Sequence, residues 1–179
     1  LQPLVKLLRE EIQGRIVRPK TAPSWQEGSY TYYTRSREGT PHPLYCRKKG
    51  RLFAKEEILL DVASLTEAQK NIRVGSFLVS PDHARVAYTV DDDGRGEFSI
   101  HLREFAGARV LEKPIEGAAD NLAWSADGRS IFYTRRAGSG GPRTVWSHRL
   151  GERQNDDTLL YHERDRDYSV RINKTLDGL

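Results

Sequence analysis

Phe77-Leu-Val-Ser-Pro-Asp-His-Ala-Arg-Val-Ala-Tyr-Thr89 is matched by Leu122-Ala-Trp-Ser-Ala-Asp-Gly-Arg-Ser-Ile-Phe-Tyr-Thr134. Ser80, Asp82, Tyr88 and Thr89 recur as Ser125, Asp127, Tyr133 and Thr134, each 45 residues later. Both copies read as an apolar run, a Ser-x-Asp turn and a second apolar run. Short β-branched and aromatic runs flanking a turn form hairpins, and a fixed period near 45 residues indicates repeated small antiparallel sheets, as in propeller blades. In the turn itself, Pro81 presets φ and Asp82 accepts from the turn backbone. Gly128 tolerates the positive φ that closes such a turn, whereas His83 at the same place is expected to be strained.

The repeat continues outward. Ser99–Arg103 aligns with Thr144–His148, again 45 residues apart. Arg109–Leu111 and Thr158–Tyr161 are the expected outer strands. This predicts four-stranded blades over residues 72–117 and 118–163. Residues 25–65 carry the same order in Tyr30–Thr34, Leu44–Lys48 and Glu57–Leu60, with no clear opening strand, so completion from elsewhere in the ring is expected. Residues 164–179 open a fourth unit, with a strand at Tyr168–Ile172 and a repeated turn at Thr175-Leu-Asp-Gly178. Asp61–Asn71 reads as a short helix or an irregular loop.

Ahead of the blades, Val5, Leu8, Ile12 and Ile16 recur at spacings of three and four, the stripe of an amphipathic helix over residues 4–16. Gly14 weakens it and Pro19 ends it. The fold class is therefore all-β: a partial β-propeller over residues 21–179, about three four-stranded blades plus the start of a fourth. It is preceded by a helix and linker over residues 1–20. The chain opens on Leu1, lacks Met and closes inside a hairpin, so a piece of a longer protein is expected.

Composition bounds the function. Hydrophobic residues make up 37% and charged residues 30% of the 179, low for a compact domain but short of disorder. No run of 18 apolar residues predicts a membrane span, and no apolar signal core is visible. A lone Cys46 cannot form an intrachain disulfide, which fits a reducing compartment, and a cytoplasmic protein is expected. The net charge of +4 is asymmetric: 12 Lys/Arg face 4 Asp/Glu in residues 1–55, against 17 and 21 thereafter. The basic residues are scattered except for Arg47-Lys48-Lys49-Gly50-Arg51, which is read as a solvated turn rather than a polyanion patch. Nucleic acid is not an expected partner, because strand aromatics such as Tyr30, Tyr32, Tyr33 and Tyr45 more often pack between sheets than stack on bases.

No residue qualifies as catalytic, cofactor-binding or metal-ligating. A nucleophilic serine on a hydrolase elbow needs Gly-x-Ser-x-Gly between a strand and a helix; Ala137-Gly-Ser139-Gly-Gly141 fails at its first position and reads as a hairpin loop. His42, His83, His101, His148 and His162 have no zinc-like spacing. Asp91-Asp-Asp-Gly94 lacks the alternating ligands of a calcium loop, and Gly94-Arg-Gly96 lacks a phosphate fingerprint. Both read as turns. Trp25, Trp124 and Trp146 read as core or inter-blade packing. Asp82, recurring as Asp127 and Asp177, is a turn-former rather than a functional acid. No cofactor is expected.

The segments Glu11–Ile16, Tyr30–Arg35, Pro43–Lys48, Glu56–Asp61, Val74–Asp82 and Trp146–Gly151, in that order, resemble the start of the oligopeptidase B branch of the prolyl oligopeptidase family. The resemblance implies a seven-bladed propeller capping an α/β-hydrolase domain and cleavage of short peptides, after Arg or Lys in oligopeptidase B. It implies short peptides and the C-terminal hydrolase domain as partners. The family's catalytic Ser, Asp and His belong to that hydrolase domain, which is absent here, so none maps onto this sequence. The 179 residues alone are expected to be inactive, and poorly soluble through unpaired strand edges. From the repeat alone, a non-catalytic propeller scaffold that binds peptides or proteins is the alternative.

Overall fold

A computed structural model describes residues 4–6, 11, 23–37, 40, 42–50, 54–66, 72–136, 138 and 140–175. Residues 4–6 and Glu11 are helical; the rest of the expected helix over 4–16 lies outside the described residues. The chain divides into two compact units, residues 1–65 and 66–179.

The first unit holds a four-stranded antiparallel meander: β1 (Trp25–Glu27), β2 (Tyr30–Ser36), β3 (Pro43–Lys49) and β4 (Glu56–Asp61), neighbours in that order. The opening strand that the sequence left unclear is β1, within the chain. It is only three residues long, and its Trp25 is held by stacking on Tyr32 at 5.5 Å between ring centroids. So short a segment carries no period-2 signal. Tyr33, Leu44 and Cys46 form the apolar core of this unit. The basic run corrects another expectation. Arg47, Lys48 and Lys49 lie in β3 rather than in a turn. Arg47 is buried, pairs with Glu57 at 2.8 Å and lies 4.3 Å from the Tyr30 ring centroid. A short helix α1 (Val62–Thr66) follows β4. Asp61 caps it, its side chain accepting from the Ala63 N–H at 3.0 Å.

The second unit contains two such meanders. The first is β5 (Arg73–Val79), β6 (Arg85–Asp91), β7 (Phe98–Glu104) and β8 (Ile115–Ala118). The second is β9 (Leu122–Trp124), β10 (Ser130–Arg136), β11 (Pro142–Arg149) and β12 (Thr158–His162). The repeated turn is atomically repeated. Ser80 Oγ donates to Asp82 at 2.5 Å and accepts from Arg85 N–H at 2.9 Å. Ser125 Oγ donates to Asp127 at 2.6 Å and accepts from Ser130 N–H at 2.9 Å. The expected strain at His83 is present: its φ is 57°, against 64° at Gly128. Asp82 and Asp127 are the turn-formers the repeat implies, while Asp177 lies outside the described residues.

Two strands are not where the sequence put them. Arg109–Leu111 makes a single bridge, Arg103 to Val110, and the outer strand is Ile115–Ala118. Burial decides between them: Val110 is 65% exposed and Ile115 is 1% exposed. After the 3-10 turn Ala106–Ala108, with positive φ at Gly107 and Ala108, Arg109–Leu111 meets the end of β7 through Glu104 N–H to Arg109 O at 2.8 Å and Leu111 N–H to Leu102 O at 3.0 Å. Tyr168–Ile172 forms no ladder among the described residues. It is held at two points instead. Val170 N–H donates to Pro142 O at 2.8 Å. The Asn121 side chain accepts from Ile172 N–H at 2.7 Å and donates to Ile172 O at 3.0 Å.

The core of this unit lies between its two sheets. Ala87, Ile100, Leu102, Ile115 and Ala118 from one sheet meet Leu122, Trp124, Ile131 and Tyr133 from the other, with Trp146 packed against them. Buried β-branched and aromatic positions on facing strands supply this packing. Trp124 also donates its indole N–H to Leu78 O at 3.0 Å, satisfying the polar end of a buried ring. Of the three tryptophans, Trp124 is thus inter-sheet core, Trp146 lies at its margin, and Trp25 is 40% exposed.

Candidate functional site

The polar features that could do chemistry gather between the two sheets of the second unit. Glu112, in the connection between β7 and β8, reaches across to His148 on β11. His148 Nε2 is 3.0 Å from Glu112 Oε1, and Nδ1 is 2.6 Å from Asp157 Oδ1. Asp157 also accepts from Tyr133 Oη at 2.6 Å, and Glu112 accepts from Gly151 N–H at 2.8 Å. The side chains of His148, Asp157 and Glu112 are 2%, 2% and 14% exposed. A ring nitrogen facing a carboxylate bonds it only as a donor, so two carboxylates demand two N–H groups and hence an imidazolium. Burial alone would lower the His148 pKa; the hydrogen bonds to Glu112 and Asp157 outweigh it and hold the pKa above the ordinary value. With both nitrogens engaged, His148 is a clasp between sheets rather than a general base.

A second polar knot lies nearer the start of β5. Asp120 Oδ1 accepts from Ser76 N–H at 2.6 Å and from Thr89 Oγ1 at 2.7 Å. A Cβ built on Gly75 would stand 2.2 Å from that same oxygen, so the glycine is required by the close approach rather than by its φ.

The described residues do not assemble a hydrolytic centre. Ser99 Oγ lies 3.0 Å from His101 Nε2, but Ser99 is inside β7 and not on a strand-to-helix turn. His101 stacks on Tyr88 at 5.3 Å between ring centroids, and burial lowers its pKa despite the charge of Asp92. Ser139 lies outside the described residues. Burial, with Glu56 nearby, pushes the Cys46 thiol up to about 11, which removes it as a nucleophile at neutral pH. No group of three His, Cys, Asp or Glu among the described residues is placed to hold a metal ion. Asp91 serves the turn the sequence predicted: it accepts from Gly94 N–H at 2.7 Å and Gly96 N–H at 3.1 Å. No helix of the described residues is long and apolar enough to cross a membrane.

Sequence reasoning found none of the Glu112–His148–Asp157 cluster. The three residues lie on different segments, with Glu112 and His148 36 positions apart. His148 itself was visible as a histidine near the end of an expected strand, but nothing in the sequence linked it to Glu112 or Asp157.

Repeated four-stranded meanders, two of them joined by an inter-sheet core, define a propeller-type domain. All 179 residues match the family model described as the prolyl oligopeptidase N-terminal beta-propeller domain, and the chain belongs to that family. It is 29% identical to dipeptidyl aminopeptidase BI of Pseudoxanthomonas mexicana, with 99% of this chain and 27% of that protein aligned. It is 26% identical to Protease 2 of Moraxella lacunata, over 99% of this chain and 27% of that protein. Oligopeptidase B from Leishmania major superposes with a TM-score of 0.87 at 27% identity, covering 96% of this chain and 25% of that one. The chain thus spans about a quarter of the length of these relatives, and it is a propeller domain of the prolyl oligopeptidase family with oligopeptidase B-like structural neighbours.

Proposed function

We propose that this chain is the N-terminal propeller portion of a serine-type oligopeptidase resembling oligopeptidase B. The observation that carries the reading is the match along nearly the whole chain to relatives named as peptidases, with the Leishmania enzyme superposing at a TM-score of 0.87. In this reading the propeller gates a hydrolase domain that these 179 residues do not contain. A narrow entrance admits short or unfolded chains and shields the reaction from bulk water. Cleavage falls after Arg or Lys, and the 179 residues alone are inactive. The protein acts in the cytoplasm, which the single buried Cys46 supports.

The test uses the full-length protein. It should hydrolyse a short Arg-containing peptide and lose that activity to a serine-directed acylating reagent. It should also cleave the free peptide much faster than the same peptide embedded in a folded domain. Absence of hydrolysis and of covalent labelling would leave a non-catalytic scaffold as the reading. Equal rates on free and embedded peptide would remove the gate while keeping the peptidase.

A further inference from the structure

Three arginines converge on one cavity of the second unit. A pocket of about 270 Å³ is lined by Arg73, Arg136 and Arg171, with Phe98, Asp120 and Asn121 among its walls. Each arginine is placed by a different device. Arg73 opens β5, and its guanidinium carbon lies 4.9 Å from the Phe98 ring centroid. Arg136 ends β10 immediately after a register shift against β11, and such an irregularity re-aims the side chain that follows it. Its Nη2 would lie 3.2 Å from a Cβ on Gly96, so the absence of a side chain there lets the guanidinium lie close to the backbone. Arg171 stands between Val170 and Ile172, the two residues pinned to Pro142 and Asn121.

The charges do not balance. Arg73 has a carboxylate, Asp91, at 3.6 Å. Arg136 and Arg171 have no acidic partner among the described residues. The one carboxylate in the wall, Asp120, keeps its negative charge while accepting from Ser76 and Thr89 through Oδ1, and with Asp91 it offsets two of the three guanidinium charges. Clustered positive charge in a concavity concentrates anions, and a planar guanidinium matches a carboxylate through two parallel hydrogen bonds. The cavity is at the small end of ligand pockets, which run from about 300 to 1,000 Å³. That size suits a carboxylate with a short stem and not a nucleotide.

We propose that this pocket is a carboxylate-binding site, held chiefly by Arg136 and Arg171, that takes the free C-terminus or an acidic side chain of a peptide. The proposal rests on the peptidase reading only for the source of the ligand; the anion chemistry stands apart from it.

The test is calorimetric titration of the full-length protein with three acetylated tripeptides that contain no Lys or Arg. One is Ala-Ala-Ala with a free C-terminus, one is its C-terminal amide, and one is the amide of Ala-Asp-Ala. The free acid or the Asp peptide should bind at least about tenfold more tightly than the Ala-Ala-Ala amide, as expected for charged hydrogen bonds. Whichever of the two binds identifies the source of the carboxylate. Arg136→Ala combined with Arg171→Ala should abolish that preference, and added salt should weaken it. Arg136→Lys combined with Arg171→Lys, which keeps the charge without the two-pronged geometry, should retain part of it. Circular dichroism melts of both double variants establish that they fold. Equal affinity of all three peptides, no binding of either acid, or an unchanged preference in a folded Ala variant would each overturn the proposal. Failure of the peptidase reading is seen separately, as absent hydrolysis of the Arg peptide.

Discussion

At position 128 the repeat settles a stereochemical question. Gly128 has φ 64°, and an added Cβ would meet only ordinary contacts, the nearest being Pro81 Cδ at 3.5 Å. Space is available, so the cost of Gly128→Ala is the backbone conformation itself, about 1 kcal/mol. Gly128→Asn should recover most of it, because Asn tolerates the left-handed region. Denaturant titration of the two variants checks this, and equal losses would contradict it. Asp82 carries a pH signature of the same turn. Burial would raise its pKa, but the Arg85 guanidinium, the Ser80 hydroxyl and the Ala84 N–H outweigh it and bring it down to about 2 from 3.8. A depressed folded pKa gives stability that is present above the unfolded value and lost as pH falls through the folded one. The stability difference between wild type and Asp82→Asn should therefore be present at pH 5 and fade between about pH 4 and pH 2. The side chain is 46% exposed, so solvent screening keeps that difference small. A difference that grows on acidification would contradict the assignment.

Among the elements, the hairpins and two outer strands, Glu56–Asp61 and Thr158–His162, were readable, and the outer strand Ile115–Ala118 was not. Phe77–Thr89 and its copy carry both a turn code and flanking apolar runs, and both became hairpins with the same hydrogen bonds. The stretch after β7 lies far from the repeat's turn and holds two apolar segments, with no local code to choose between them. The sequence placed the strand at Arg109–Leu111, whereas Ile115 pairs with Ile100 and is the residue that is buried. Ile115→Ala should cost about 2–5 kcal/mol as a buried truncation, while Val110→Ala should stay within about 0.5 kcal/mol. Comparable losses would mean that the outer strand is misplaced. The His148 clasp joins the two sheets and titrates in the opposite sense to Asp82. Its folded pKa is raised by Glu112 and Asp157 against the effect of burial. That stability is complete below the unfolded value near 6.5 and is lost as pH rises through the raised folded value. Lys113, Glu152 and Arg153 line the adjoining cavity and modulate the window. The stability advantage of wild type over His148→Gln should be larger at pH 6 than at pH 9, measured by chemical denaturation at both values. An advantage that is constant or grows with pH would rule out the imidazolium.

For the molecule as a whole, family and fold class were legible because both are written in local order: a 45-residue period and short motifs in sequence. The candidate sites were not. Arg73, Arg136 and Arg171 are scattered over about 100 positions, and nothing in a one-dimensional reading brings them together. The same holds for Glu112 and His148, which meet only because consecutive sheets pack face to face. The charge asymmetry also looks different in three dimensions. Part of the excess of base in the early chain is neutralised in pairs, Arg35 with Glu56, Arg37 with Asp61 and Arg47 with Glu57.

Asn121 extends this picture in time. Its side-chain amide is itself a peptide-like group, with an NH2 that donates and a carbonyl that accepts, and it engages both the N–H and the C=O of Ile172. Removing it in Asn121→Ala should cost about 1–3 kcal/mol and speed amide exchange at Ile172, with unchanged protection contradicting the assignment. The connection between β8 and β9 thus offers the later segment a rung, although that segment forms no ladder among the described residues. On a ribosome, where residues emerge from the N-terminus onward, such a rung would favour vectorial growth. Each completed module would template the docking of the next, and the order of synthesis would become the order of assembly.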